Sequence, residues 1–168
     1  MLLNRLAYPN RYADQALKFG WRPEWISEIT NHLLDYIVQK WKYLLEFDTH
    51  RLTREKLLEY AQVIHRKNDC PFTTCWGFID DGTNRGIARP VQFQRTCYNG
   101  WKREHCLKYH AVVTPDELVS HLFGPVEGRG NNAHLWSESG LQHYLEEHSF
   151  VPDGTALQIY GDPAYGVT

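Results

Sequence analysis

The sequence predicts an α/β protein in which a helical N-terminal segment, residues 1–70, precedes a β-β-β-α-β domain in residues 71–168. Three observations predict this class. Apolar residues recur at helical spacing before residue 70, short alternating or wholly apolar runs follow it, and Gly, Pro and Asp clusters separate those runs. At 168 residues the chain is long enough for one ordinary core, or for a small helical module leading into an α/β domain.

The N-terminal segment contains two predicted helices. The first spans residues 23–46, because its apolar residues have helical spacing and Pro23 suits a first turn. The second spans residues 53–66 and begins at a threonine that can cap it. Residues 66–73 are rich in turn formers and mark the predicted boundary.

Four strands and one helix are predicted after this boundary. The first strand is apolar throughout, which is typical of burial on both faces, and the second alternates strictly. The first three strands are expected to form an antiparallel meander. The predicted elements are strands at 76–80, 106–113 and 118–123, a helix at 134–148 and a strand at 156–160. This order matches the first half of an RNase H-like fold, in which the first and fourth strands are neighbours.

Composition and charge narrow the class of protein. The chain is 42% hydrophobic and 14% aromatic, which excludes a disordered protein. Its formal charge of -2 gives no overall attraction to nucleic acid, so DNA binding requires a local basic patch. The N-terminus meets Arg5, Pro9 and Arg11 before any long apolar run, which argues against a signal peptide or membrane span and predicts an intracellular protein.

Other chemistries have little support in the motifs. Cys70 and Cys75 have the spacing of a metal-binding pair, but no second close Cys or His pair has zinc-finger spacing, so reduced, unpaired thiols are expected. His110 and His121 alternate with apolar residues and are expected to be packed or solvent-facing rather than catalytic. No phosphate-binding loop of the ATPase type occurs.

Two aspartate motifs stand where apolar strands give way to Gly-containing turns: Asp80 and Asp81 in GFIDDGT, and Asp162 in IYGDPAY. Neighbouring first and fourth strands would bring these carboxylates together, and a divalent cation would relieve their repulsion. Adjacent strand residues face opposite sides, so only one of Asp80 and Asp81 can face the metal. Asp80 is favoured because it continues the face of Phe78. Taken singly, each motif is more often a structural turn than a metal site.

Basic and aromatic residues are interleaved between the two motifs. Positive side chains can hold a phosphate backbone while aromatic rings stack on exposed bases. A solvated hairpin with an aromatic core face explains the same pattern. The candidate DNA-binding residues are Arg89, Arg95, Lys102, Arg103 and Lys108, and the aromatic residues among them are Phe93, Tyr98, Trp101 and Tyr109.

Four segments in order carry a family resemblance: CWGFIDDGTNRGIARP, QRTCYNGWKREHCLKYHAVVTPDELVSHLFGPVEGR, SESGL and YGDPAY. Together they resemble Harbinger (PIF)-type DDE transposases and the nucleases derived from them. The resemblance covers about residues 74–165, and the segment WKYLLEFDTHRLTREKLLEYAQVI is similar to the helical segment that precedes that domain. It implies an RNase H-like core that binds Mg²⁺ or Mn²⁺ and cuts DNA by a DDE mechanism, which in turn implies a nuclear location.

The resemblance assigns roles to individual positions. The first catalytic aspartate corresponds to Asp80 or Asp81, because this chain has one Asp more than the family's Ile-Asp-Gly-Thr pattern, and the second corresponds to Asp162. The third acidic residue, which the family places on a later helix, has no counterpart before Thr168. Asn131 and Asn132 stand where similar sequences carry His-Asp.

Three interpretations follow. The first is a truncated or domesticated Harbinger-type nuclease domain that binds a metal ion but has impaired cleavage. The second is a DNA-binding or scaffold protein that has lost catalysis, and the third is a non-functional transposon remnant. DNA is the expected partner, with a second copy of the chain or another protein as the source of a missing carboxylate.

Overall fold

The structure, a computed structural model, describes residues 1–8, 10–68, 70–80, 84–151 and 153–165. Its mixed α/β class confirms the prediction. The helices are α1 (Leu2–Ala7), α2 (Tyr12–Phe19), α3 (Pro23–Trp41), α4 (Leu44–Phe47), α5 (Arg54–Asn68), α6 (Gln94–Cys97), α7 (Asn132–Ser139) and α8 (Leu141–His148). The strands are β1 (Cys75–Asp80), β2 (Arg85–Gly86), β3 (Tyr98–Asn99), β4 (Glu104–Val113), β5 (Val119–Glu127) and β6 (Gln158–Gly161).

The chain divides into two compact units, Met1–Lys42 and Tyr43–Thr168. The first unit contains α1, α2 and α3. Helix α2 ends at Gly20, whose φ of 71° lies in the left-handed region that glycine adopts without strain. Helix α3 begins at Pro23 as predicted, because proline lacks the N–H that a first turn leaves unbonded. It ends at Trp41, so the helix expected to reach residue 46 is two helices, α3 and α4.

The second unit is built on one mixed sheet. Strand β4 pairs antiparallel with β1 and with β5, which is the predicted meander of the three long strands. Strand β6 pairs with β1 in parallel, with Ile79 opposite Gly161. The short strands β2 and β3 also pair with β4 and lie in the region predicted to be a polar hairpin.

Helices α4 and α5 pack on one face of this sheet together with α8. Phe47 of α4 contacts Trp76 of β1 edge to face, with ring centroids 6.4 Å apart. Because this packing joins α5 to the sheet, the structural unit begins at Tyr43, whereas the sequence-based division between residues 70 and 71 stays a prediction. The core residues are Phe47, Leu52, Leu57, Tyr60, Ala61, Trp76, Ile79, Val112, Leu141, Val151, Leu157 and Tyr165.

The prediction that β1 is buried on both faces holds for residues 75–77 and fails at Phe78. Ile79 is buried on the face covered by the helices, whereas Phe78 points to the other face and is 43% exposed. Its cross-strand partners Val113 and Tyr160 are exposed as well. An apolar run shows that a strand is hydrophobic, but it does not show how many of its faces other elements cover.

The helix predicted over residues 134–148 is divided at Gly140. Its φ of 67° ends α7 and precedes α8. A glycine inside an apolar helical pattern often marks such a break, because only glycine adopts this backbone conformation without a steric cost. The break lets Leu135 of α7 and Leu141 of α8 both become fully buried.

Two buried histidines connect the sheet to α4. His121 donates its Nδ1–H to the carbonyl oxygen of Glu46 at 2.6 Å, so its Nε2 accepts a hydrogen bond from His110 Nε2 at 3.3 Å. Burial and, to a smaller extent, the neighbouring His121 together lower the pKa of His110 to about 4. Burial also lowers the pKa of His121. Both rings are therefore neutral at pH 7.

We expect acid to destabilise the protein through this pair. The unfolded imidazoles bind protons below their ordinary pKa of 6.5, while folded His110 stays neutral down to about pH 4. The stability contribution is complete above pH 6.5 and is lost as the pH falls toward 4, by about 3 kcal/mol for His110. Urea unfolding between pH 4 and 7.5 measures this loss. A His110→Phe variant should lose much of this dependence of the free energy of unfolding on pH. The control variant His32→Gln, at an exposed position, should keep it. An unchanged pH dependence in His110→Phe would contradict the prediction.

Candidate active site

The ends of β1 and β6 bring two of the predicted site residues side by side. Ile79 and Gly161 form the last pair between β1 and β6. Asp80 comes directly after Ile79, Asp162 comes directly after Gly161, and both aspartate side chains are exposed. Adjacent strands lie about 4.8 Å apart, so the two positions are neighbours at the same end of the sheet. The separation of more than eighty residues along the chain is closed by parallel pairing.

Asp80 and Asp162 differ in their surroundings. Asp80 pairs with Ala111 and lies on the exposed face of Phe78, as predicted from alternation. Asp162 lies at one end of a cavity of about 590 Å³. The alternative ligand, Asp81, lies outside the described residues, and its role stays a prediction.

The cavity beside Asp162, which we call the basic cavity, has a cationic lining. Three of its charged side chains are positive, Lys102, Lys108 and Arg129, and Asp162 is the negative one among the described residues. The amide side chains of Asn84, Asn99, Asn131 and Asn132 line it as well. A chain with a formal charge of -2 thus has a local site that favours an anion.

One wall of the basic cavity is the turn between β3 and β4. Asn99 is buried, and its Oδ1 accepts hydrogen bonds from the backbone N–H groups of Trp101 and Lys102, both at 3.0 Å. Asparagine commonly closes a turn in this way. The bonds fix the backbone that carries the Trp101 ring and the Lys102 ammonium group.

A second wall is the loop from Gly128 to Asn132. The backbone N–H of Arg129 donates to Thr96 O at 3.1 Å, and that of Gly130 donates to Glu127 O at 2.9 Å. Asn131 caps α7, because its Oδ1 accepts from the backbone N–H of His134 at 2.8 Å. Both walls therefore have backbones held by hydrogen bonds.

Lys108 joins the loop to β4 from inside the fold. Its side chain is buried, and Nζ donates to Gly130 O at 3.0 Å and to Asn132 Oδ1 at 3.3 Å. Sequence reasoning proposed Lys108 as a DNA-binding residue. The structure places it at the cavity but gives its ammonium group internal partners, so its clearest role is to position the loop.

The other candidate DNA-binding residues lie outside the basic cavity. Arg89, Arg95 and Arg103 are exposed, and Arg89 Nε donates to Gln94 Oε1 at 2.8 Å. Arg89 and Arg95 line a separate depression of about 390 Å³. The structure therefore brings Lys102 and Lys108 together with Asp162 and leaves the three arginines apart from them.

The match to a family comes from the region that contains this geometry. The family model for the DDE superfamily endonuclease matches residues 80–168, just over half of the chain. The chain belongs to this family. No curated protein and no solved structure matches it significantly.

Several residues of the basic cavity are not predicted from the sequence. Asn84 and Asn99 were not singled out, although Asn99 precedes a glycine, which is a recognised turn signal. The importance of Gly128 was also missed. Arg129 lines the basic cavity as well.

The described residues contain no group of three or more His, Cys, Asp or Glu side chains that is placed to hold a metal ion. Two carboxylates at adjacent strand ends nevertheless suit Mg²⁺, which proteins commonly bind through one or two carboxylates, water and substrate phosphates. Within the same residues, no helix is long and apolar enough to cross a membrane.

We expect Gly128→Ala to destabilise the fold. An added Cβ would lie 2.4 Å from Cys97 O and 2.7 Å from Cys106 O, two backbone atoms that cannot move without shifting the hairpin. Overpacking of this kind costs about 1–3 kcal/mol. Chemical denaturation measures the change, with Gly100→Ala as the matched control because no atom lies within 4 Å of its added Cβ. Equal stability of the two variants would contradict the tight packing.

Replacing Lys108 tests its positioning role. Lys108→Met keeps most of the side-chain volume but leaves Gly130 O and Asn132 Oδ1 without this donor, at a cost of about 1–3 kcal/mol. The exposed neighbour Lys102→Met should change the free energy of unfolding by less than about 0.5 kcal/mol. Thermal or urea unfolding of both variants makes the comparison. A Lys108→Met protein as stable as the wild type would show that these bonds contribute nothing.

Proposed function

We propose that this chain is a divalent-metal-dependent DNA endonuclease domain of Harbinger-type transposase descent with an RNase H-like fold. The observation that supports this most is the parallel pairing of β1 with β6, which places Asp80 and Asp162 at adjacent positions inside the region that matches the family. Carboxylates from two neighbouring strand ends form a typical donor set for Mg²⁺ or Mn²⁺.

The chain's own residues have separable tasks in this proposal. Asp162 and one of Asp80 and Asp81 hold the metal ion, which when bound stabilises the negative charge that develops during phosphodiester cleavage. Lys102 and Arg129 line the cavity at Asp162 and attract the phosphate backbone. Lys108 keeps the Arg129 loop in place through Gly130.

Asp81 competes with Asp80 for the first ligand position. Consecutive strand residues point to opposite faces, and Asp80 shares the exposed face with Phe78, whereas Lys108 lies on the face of Val112. Asp81 lies outside the described residues, so separate substitution of Asp80 and Asp81 decides which of them binds the metal ion.

A second candidate function is DNA binding without cleavage. It is favoured by the lack of a third carboxylate near the pair among the described residues and by Asn132, whose amide oxygen already accepts from Lys108. A binding protein of this kind would act as a scaffold, either alone or with a second copy or another protein. Nuclear location accompanies either function as part of the proposal.

Cleavage of supercoiled plasmid in Mg²⁺ or Mn²⁺, with EDTA as the blank, tests the proposal. We expect nicking by the wild type and a loss of about 100-fold or more in Asp162→Asn, because even residues that only support metal ligands matter by about 10–100-fold. The true partner among Asp80→Asn and Asp81→Asn should show the same loss. Exposed Asp35→Asn is the matched control and should retain activity.

Metal binding provides an independent measurement. Titration with Mn²⁺, followed by electron paramagnetic resonance, should show a site that weakens in Asp162→Asn and persists in Asp35→Asn. Wild type that binds Mn²⁺ and retains DNA salt-sensitively without nicking it would replace the nuclease with the binding function. Wild type with neither metal nor DNA binding would overturn both.

A further inference from the structure

We propose that the basic cavity binds an unpaired nucleotide of DNA, with the base stacked on Trp101 and the phosphate held by Lys102 and Arg129. The proposal deepens the proposed function and rests on it for the identity of the ligand as DNA. It adds a substrate class: a strand that is single, frayed or distorted at the site of action.

Trp101 is placed to receive a base. It is 90% exposed, more than any other of the six tryptophans, although it lines a cavity. Its backbone is fixed by the hydrogen bond from its N–H to Asn99 Oδ1. An aromatic ring held on a rigid turn and left uncovered is a stacking platform, because every base offers a π-face of the same kind.

The charges beside Trp101 select an anion. Lys102 follows it directly in the turn, and Arg129 of the loop from Gly128 to Asn132 lines the same cavity. Buried Lys108 adds a third positive charge that internal hydrogen bonds hold in place. A nucleotide combines an apolar planar ring with a phosphate, and these two features correspond to the two parts of the lining.

The shape of the cavity favours an unpaired nucleotide over a duplex. In a duplex, neighbouring base pairs cover the base faces and only the base edges are accessible in the grooves. Stacking on a protein ring therefore requires a base that has left the helix. The volume of about 590 Å³ lies within the range of roughly 300–1,000 Å³ typical of small-ligand sites, which suits one nucleotide and not a double helix.

Asp162 links the proposed nucleotide position on Trp101 to the proposed cleavage reaction. It lines the same cavity, so a nucleotide on Trp101 has its phosphate near the proposed metal-binding carboxylate. The unpaired nucleotide would then be next to the bond that is cut. DNA that is already frayed or single-stranded would bind without the energetic cost of unpairing.

Fluorescence anisotropy with the full chain in EDTA tests the inference without any cleavage. The probes are a fluorescein-labelled 12-nucleotide single strand and the same sequence as a blunt duplex, with thymidine monophosphate as competitor. We expect the single strand to bind at least tenfold more tightly than the duplex. Trp101→Ala should lose about tenfold in affinity for the strand, Trp101→Phe should stay within about threefold, and exposed Trp25→Ala should match the wild type.

The charged residues add a second measurement. Lys102→Gln and Arg129→Gln should each weaken binding of the strand and reduce the slope of log affinity against log salt by about 1. Equal binding of strand and duplex, or an unchanged Trp101→Ala, would overturn the inference. Competition by thymidine monophosphate at the same concentration as the strand would also overturn it, since the site would then be one for a free nucleotide.

The inference and the proposed function fail separately. A wild type that nicks plasmid in Mg²⁺ but does not prefer the single strand retains the nuclease and loses the nucleotide site. A wild type that binds the single strand through Trp101 but never nicks DNA retains the nucleotide site and loses the nuclease. Absence of binding to either probe in EDTA overturns the inference whatever the cleavage result.

Discussion

The parallel pairing of β1 with β6 is the contact on which the rest of the second unit depends. This pairing brings together two strands that are separated along the chain by all the elements from β2 to α8. It also places Ile79 in the core on the side of the sheet that the helices cover. Gly161 has to be glycine at this contact, since a Cβ there would lie 2.5 Å from Ile79 Cγ2. The close packing of Gly161 against the Ile79 side chain and the adjacent positions of Asp80 and Asp162 therefore have the same origin. Stability and the candidate site cannot vary independently here.

Much of the fold was predictable because its signals are local. Pro23 and the strict alternation of β4 each carry a backbone preference that the sequence displays directly, whereas the helix break at Gly140 lies inside an apolar helical pattern that hides it. Coverage by other elements is not local, and for that reason the sequence does not predict the exposure of Phe78. Phe78 and Ile79 are both apolar in the sequence, and only the packing of helices on one side distinguishes them.

The candidate site shows the same division. Asp162 and Lys102 are proposed as site residues from the sequence because acidic and basic residues near turns are conspicuous, and the family resemblance gives their order a meaning. The partners of Lys108 could not be found in this way, since its acceptors lie more than twenty residues away along the chain and one of them is a backbone carbonyl. The sequence does not distinguish a buried lysine from an exposed one. Lys108 differs from Lys102 because it is buried and donates to the loop that contains Gly130.

The uncovered face of the sheet affects how this protein will behave in the laboratory. Tyr160, Phe78, Val113 and Val119 are paired in one row across four strands, and each is at least 36% exposed. Dyes that fluoresce when they bind apolar surfaces will bind this row on the folded protein. Dye fluorescence will therefore be high before thermal unfolding begins, and high fluorescence at room temperature will not by itself indicate a molten globule. Circular dichroism in the near ultraviolet, which reports fixed aromatic packing such as that of Phe47 on Trp76, is the more faithful monitor of its folding.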